Sequence, residues 1–219
     1  MTRRTKGTPG TIALMGLILA GFVTEIATGA WTDPRTLAYL GAMVPELILE
    51  QGQYWRLLSA VFLHGDGSIQ GTLLHLGVNL FSLFNIGRVY EIMFGTRRMV
   101  LIFFATGIAA SITSMLHNVG WSVGASGAVF GVLGALVSSI LRHPHFRRDR
   151  MARSIMKQCV FWIFVNIAIG LQIPQIDNAA HIGGLVAGLL LGALLPHRVN
   201  PPSPTEFVVD VTPHDPPTI

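Results

Sequence analysis

Long apolar runs dominate this chain, in place of the alternation of a half-buried sheet or the stripe of an amphipathic surface helix. Six runs are read as membrane spans: 11–30, 69–94, 99–116, 126–141, 155–173 and 179–195. About 20 residues at 1.5 Å rise cross the hydrocarbon of a bilayer, which is the length scale of these runs. No water satisfies backbone groups there, so only helices and closed barrels can span. The runs are too long and continuous for barrel strands, and Pro174 and Pro196 stop the fifth and sixth. The predicted fold class is therefore an all-α polytopic membrane protein, a bundle of six transmembrane helices. Residues 31–66 hold two short apolar pieces, "TLAYLGAMV" and "LLSAVFL". Neither can span, and both are expected as interfacial or re-entrant helices in a loop between helices 1 and 2.

Composition agrees with this pattern. The chain has 219 residues, 51% hydrophobic and only 12% charged, about half the charge fraction of a soluble domain. The net charge of +4 does not point to nucleic acid, because the basic residues mark topology. With the amino terminus in the cytoplasm, all but Arg35 and Arg56 of the 15 basic residues fall in cytoplasmic segments, as the Lys/Arg excess of such loops requires. The expected organisation is a basic cytoplasmic segment at 1–10, a helical domain at 11–197 and a proline-rich, disordered cytoplasmic tail at 198–219. The first run resembles a signal peptide, but it is long for one and Glu25 interrupts it, so an uncleaved span is expected. The single cysteine, Cys159, excludes an intramolecular disulfide and reads as a buried, inert thiol.

Polar groups inside a membrane are functional candidates by default. Ser126 opens the fourth run, His181 lies near the start of the sixth, and His75 and Asn79 lie in the first half of the second. Topology puts all of them at one depth on the external side. His181, Gly184, Gly188 and Gly192 share one helix face, and Gly127, Gly131 and Gly134 follow similar spacing on the fourth run. Such stripes let helix backbones approach closely in lipid. Packed on each other, they bring His181 to Ser126. A serine hydroxyl becomes a nucleophile when a base takes its proton, and histidine suits that role. No acidic third member is evident: Asp177 is expected in a short external loop. Ser126 at a helix amino terminus also has free N–H groups for an oxyanion, and Gly124 and Gly127 remove bulk where a substrate backbone approaches. His75 and Asn79, at i and i+4, serve equally as oxyanion donors or as interhelical hydrogen-bonding groups.

These residues resemble the rhomboid family of intramembrane serine proteases. "HLGVN" (75–79), "GASG" (124–127) and "AHIGGLVAG" (180–188) occur in order on the second, fourth and sixth runs. "WRLLSAVFLH" (55–64) is similar to the family's Trp-Arg motif, and "GRVYE" (87–91) to its Gly-x-x-x-Glu. The resemblance covers about residues 11–197. It implies a Ser126 nucleophile, a His181 general base, and an oxyanion site of His75, Asn79 and the Ser126 backbone N–H. Gly124, Gly127, Phe130, Gly184 and Gly188 would support them. It implies single-span membrane protein substrates cleaved in or beside their transmembrane segments. Access would be lateral, the fifth span and the external cap loop moving, with no metal, cofactor or nucleic acid. Phe130 stands where the family often has a tyrosine that stacks on the histidine; it keeps the ring and loses the hydroxyl. "GDGSIQG" lengthens the segment before His75. Two other readings are a silent family member that binds transmembrane clients, and a solute transporter, which the lack of an inverted repeat disfavours.

Other polar residues carry structural expectations. His143 and His145 belong to a solvated basic loop rather than a metal site, since two ligands fall short of the usual three or four. Arg56 and His64 shape the external loop. Glu25 faces the bundle and Glu91 is a structural partner near the cytoplasmic side. Asn85 and Asn166 are expected to bond between helices.

Overall fold

The computed structural model describes residues 7–117, 120–173 and 175–195. The expectations for Arg3, Arg4, Lys6, Pro174, Pro196, Arg198 and the 198–219 tail lie outside the described residues. Helix α1 (Pro9–Thr28) starts on a proline, whose missing N–H would be unpaired in a first turn anyway, and stops at Gly29 with φ +76°. Three short helices follow: α2 (Pro34–Leu40), α3 (Pro45–Leu49) and α4 (Arg56–Ser59), the last running into a 3-10 turn at Ala60–Phe62. Helices α5 (Ile69–Ser82) and α6 (Arg88–Phe94) are joined through a π-type turn at Leu83–Gly87. Then come α7 (Thr96–Leu116), α8 (Ser126–Arg142), α9 (Pro144–Arg148), α10 (Arg150–Gly170) and α11 (Asn178–Leu194). Among the described residues there is no strand, only a bridge between Met43 and Ser122.

Side-chain caps decide several boundaries. Asp149 accepts from Ala152 N at 2.8 Å, so α10 begins at Arg150 and takes in basic residues that the apolar pattern alone leaves outside. Ser68, inside the "GDGSIQG" segment, accepts from Gly71 N at 3.0 Å and starts α5, so that segment forms the entrance to the helix. Four helical stretches are long and apolar enough to cross a membrane: α1, the combined Ile69–Phe94, α7 and α10. Helices α8 and α11 have 17 residues each, about 25 Å at 1.5 Å per residue and short of a ~30 Å core.

Helix α8 is buried almost all round, between α7 and α11. A Cβ built on Gly184 would strike the carbonyl of Gly127, and one on Gly188 the carbonyl of Gly131. One on Gly192 would lie 2.5 Å from the Ala135 carbonyl oxygen. The two helices therefore run parallel in backbone contact. The two glycine stripes meet as expected, at Gly184 on Gly127 and Gly188 on Gly131, and the α8 stripe serves a second neighbour as well. A Cβ on Gly127 would strike Ala110 of α7 and lie 3.3 Å from Ala180 O of α11, one on Gly131 would meet Thr106 of α7, and one on Gly134 would lie 2.5 Å from the Leu185 carbonyl of α11. Carbonyls project along the helix and α-hydrogens project outward, so one glycine serves two neighbours.

Buried carboxylates hold the periphery. Glu91 accepts from Gly10 N (2.8 Å), Thr11 N (2.7 Å), Thr11 Oγ1 (2.7 Å) and Thr96 Oγ1 (2.7 Å), tying the starts of α1 and α7 to α6. Glu25 accepts from His64 N (2.7 Å) and Gly65 N (2.8 Å), tying α1 to the segment before α5. Both acidic residues thus have the structural roles their positions suggested. Asn85 and Asn166 do not bond between helices: each donates to a carbonyl one turn back on its own helix, Phe81 O and Trp162 O, both at 2.8 Å. An exposed amide satisfies itself there without a neighbour.

Gly188→Ala is expected to destabilise the detergent-solubilised protein by about 1–3 kcal/mol, the range for overpacking. Gly16, with nothing within 4 Å of an added Cβ, is the control: Gly16→Ala should be neutral or raise the melting temperature. Thermal unfolding of both variants checks this.

Candidate active site

Ser126 is the first residue of α8, and the loop before it is braced from the 29–68 segment. Met43 N donates to Ser122 O (3.0 Å), Ser122 N donates to Met43 O (2.9 Å), and Gly124 N donates to Ala60 O (2.9 Å). That segment is itself anchored by Arg56, which is 4% exposed. Its guanidinium donates to Ala38 O, to Ala42 O (3.0 Å) and to Gln53 Oε1 (2.7 Å), and packs 4.7 Å from the centre of the Trp55 ring. A cation at the last carbonyls of α2 is favourably placed in the helix dipole.

His181, in the first turn of α11, lies with Nε2 2.8 Å from Ser126 Oγ. Its ring stacks on Phe130, centroids 4.2 Å apart and planes 6° from parallel. The phenyl ring sets the imidazole plane without a hydroxyl. His181 Nδ1 is buried with no hydrogen-bond partner among the described residues. The geometry suits the tautomer with the proton on Nδ1, leaving Nε2 to accept from the serine hydroxyl. A hydroxyl so placed, with unpaired helix N–H groups beside it, can attack an electrophilic carbon and have the resulting negative charge stabilised.

Gly124 sits at φ +123°, and a Cβ on it would lie 2.6 Å from His75 Nε2. His75 thus reaches the loop that carries Ser126. Its Nδ1 is 3.3 Å from His64 O, and the two imidazole centroids are 4.9 Å apart. Asn79 is buried, with its amide donating to His75 O at 2.9 Å. Gly127 and Gly184 form the contact just below the Ser–His pair. A small recess lined by Val61, Ser111, Ser122, Gly124, Gly127 and Ala180 adjoins it. Burial, with His75 adding to it, pushes the His64 imidazole down to about 3. His143 and His145 are remote from these groups and cluster around Phe146, which meets Phe94 edge-on at 5.7 Å.

Asp177 is not an isolated loop residue. It caps α11, Oδ1 accepting from Ala180 N (2.9 Å), while Oδ2 accepts from Ser122 Oγ (2.8 Å) and Ser114 Oγ. An aspartate before a helical run signals the cap in the sequence. Nothing in the sequence signals the two serines, which lie 63 and 55 residues away.

Bilayer-length apolar helices around a part-buried hydroxyl–imidazole pair define a multi-pass membrane protein with a candidate hydrolytic site. The Rhomboid domain profile matches residues 51–198, and this chain belongs to the rhomboid family. It is similar to Rhomboid protease GluP of Bacillus subtilis, 38% identical over 178 residues, 81% of this chain and 33% of that protein. RHOMBOID-like protein 1 of Arabidopsis thaliana is 36% identical over 158 residues, 72% of this chain and 38% of the relative. Rhomboid-like protease 2 of Toxoplasma gondii is 33% identical over 186 residues, 81% of this chain and 62% of the relative. The chain spans between a third and three fifths of the length of these curated relatives.

Two outcomes test the site's surroundings. Gly124→Ala combines strained backbone with a clash at His75, and should lower the melting temperature and withdraw His75, read from its imidazole NMR shifts. His64 sits near 3 in the folded protein against about 6.5 when unfolded, so the unfolded state takes up the proton first. Its contribution to stability is complete above about pH 6.5 and is lost as pH falls toward 3. His64→Asn should therefore flatten the acid slope of the melting temperature.

Proposed function

We propose that this chain is an intramembrane serine endopeptidase acting through a Ser126–His181 dyad. The observation that carries the reading is the 2.8 Å contact between Ser126 Oγ and His181 Nε2, with the imidazole oriented by Phe130. Ser126 Oγ attacks the scissile carbonyl carbon and its proton passes to His181 Nε2. The oxyanion receives hydrogen bonds from the Ser126 backbone N–H, His75 and Asn79. His181 returns the proton to the leaving amine, leaving an acyl-enzyme. Water, deprotonated by His181, then hydrolyses that ester and restores the serine. The scheme uses no metal or cofactor.

In this reading six helices cross the bilayer: α1, α5 with α6, α7, α8, α10 and α11. The short α8 and α11 start below the membrane surface, which sinks the dyad while leaving room for water above it. The termini are cytoplasmic and the site opens outward in this reading, which the arginine distribution favours over the inverse. Substrates are single-span membrane proteins, admitted laterally by movement of α10 and the loop before α11. Helix α10 supports this role: Phe161, Trp162 and Phe164 are exposed and little of the helix is buried.

Labelling with a fluorophosphonate in detergent tests nucleophile activation directly. Wild type should label, Ser126→Ala should not, and His181→Ala should label far more slowly. Cleavage of a model single-span substrate should fall on the order of 1,000-fold or more in either variant. Unreactive wild-type protein that still binds a transmembrane peptide would favour the silent, client-binding reading instead.

A further inference from the structure

Glu25 is a fully buried carboxylate on α1, and its Oε1 accepts from both His64 N (2.7 Å) and Gly65 N (2.8 Å). Its Oε2 has no hydrogen-bond partner among the described residues. Packing already seats the segment that Glu25 holds. One turn earlier on α1, a Cβ on Gly21 would strike Phe62 O, and one on Gly65 would lie 3.0 Å from Ala30 O. An amide oxygen would accept the same two N–H bonds, and a charge within an apolar span is expensive. Tethering alone therefore does not call for a carboxylate.

The far side of the same peptide meets the candidate site. Gly65 N–H and His64 C=O belong to one planar trans unit and point in opposite directions across it. The N–H ends on Glu25, and the C=O ends on His75, whose Nδ1 is 3.3 Å away. We infer that Glu25 is a positioning residue for His75, acting through the 64–65 peptide. A carbonyl only accepts, so Nδ1 carries the proton in this bond. An N–H bonded to a carboxylate makes its carbonyl a stronger acceptor, because successive hydrogen bonds polarise one another. The imidazole is thereby held on its Nδ1 side while Nε2 faces Gly124, on which a Cβ would lie 2.6 Å away. A ring that also donates Nε2–H to an oxyanion carries both protons. Its positive charge then lies between the oxyanion and the Glu25 carboxylate. The His64 ring, with its centroid 4.9 Å from that of His75, is held at about 3 by burial and stays neutral, so it does not oppose that charge.

The bonded chain from Glu25 to His75 stands on geometry; its effect on catalysis rests on the Ser–His reading above. Glu25→Gln keeps an oxygen for both N–H groups and removes the charge. In protein carrying isotope-labelled histidine, the His75 ring signals, identified by their loss in His75→Ala, should move in Glu25→Gln. Both kcat on a single-span substrate and the fluorophosphonate labelling rate should fall about tenfold, the difference between a charge-assisted and a neutral hydrogen bond. KM should stay within about twofold of wild type. In a His75→Ala background, adding Glu25→Gln should lower the labelling rate no further. A tether with no influence on His75 would instead lower it by the same factor in both backgrounds. Unmoved His75 signals, or equal losses with and without His75, would overturn the inference. Moved signals in a protein whose wild type never labels would leave the coupling standing and remove the dyad instead.

Discussion

Backbone contact between α8 and α11 is the constraint on which the rest of this structure depends. Lipid tails solvate leucine as well as a neighbouring helix does, so a membrane bundle gains little from burying apolar side chains and much from close packing. Glycine at 184 and 188 lets α11 rest on the carbonyls of α8. The distance between the axes then falls to the point where a serine on one helix and an imidazole on the other meet without any intervening group. Larger residues at these positions would hold Ser126 and His181 apart whatever their own chemistry.

Close packing of that kind leaves other degrees of freedom, and buried polar groups absorb them. Glu91, Glu25, Arg56 and Asp177 bond chiefly to backbone groups and hydroxyls at helix ends and loops. Each therefore joins segments distant in sequence and satisfies N–H or C=O groups that no helix ladder reaches. The loop before Ser126 is the clearest case. Met43, Ala60 and Asp177 hold it from three sides, so the nucleophile candidate sits on a fixed support even though its own loop contains glycine at φ +123°.

Much of this was legible in the chain. Uncharged runs mark the long helices because a membrane leaves no other use for them, His181 and the α11 glycines share a spacing that puts them on one face, and Ser126 and His181 both lie in the first turns of their helices. Glu25 and Glu91 were readable as structural because a carboxylate in an apolar run requires donors. Asn85 and Asn166 were misread: an amide in a helix can turn to its own carbonyls, and sequence does not distinguish that from a bond to a neighbour. That Gly127 and Gly131 face α7 as well as α11 was also hidden, because spacing specifies a face but not which helices cover it.

The sequence by itself determined the class of the protein, its helical elements and the residue types that meet at the site, since hydropathy and helical period act locally. Only the tertiary structure decided that Asp177 reaches Ser114 and Ser122 and that His75 presses on Gly124. Those contacts depend on the depth and register at which helices dock. Glycine spacing marks the face that docks, while the polar bonds at the site join segments that the one-dimensional pattern does not connect.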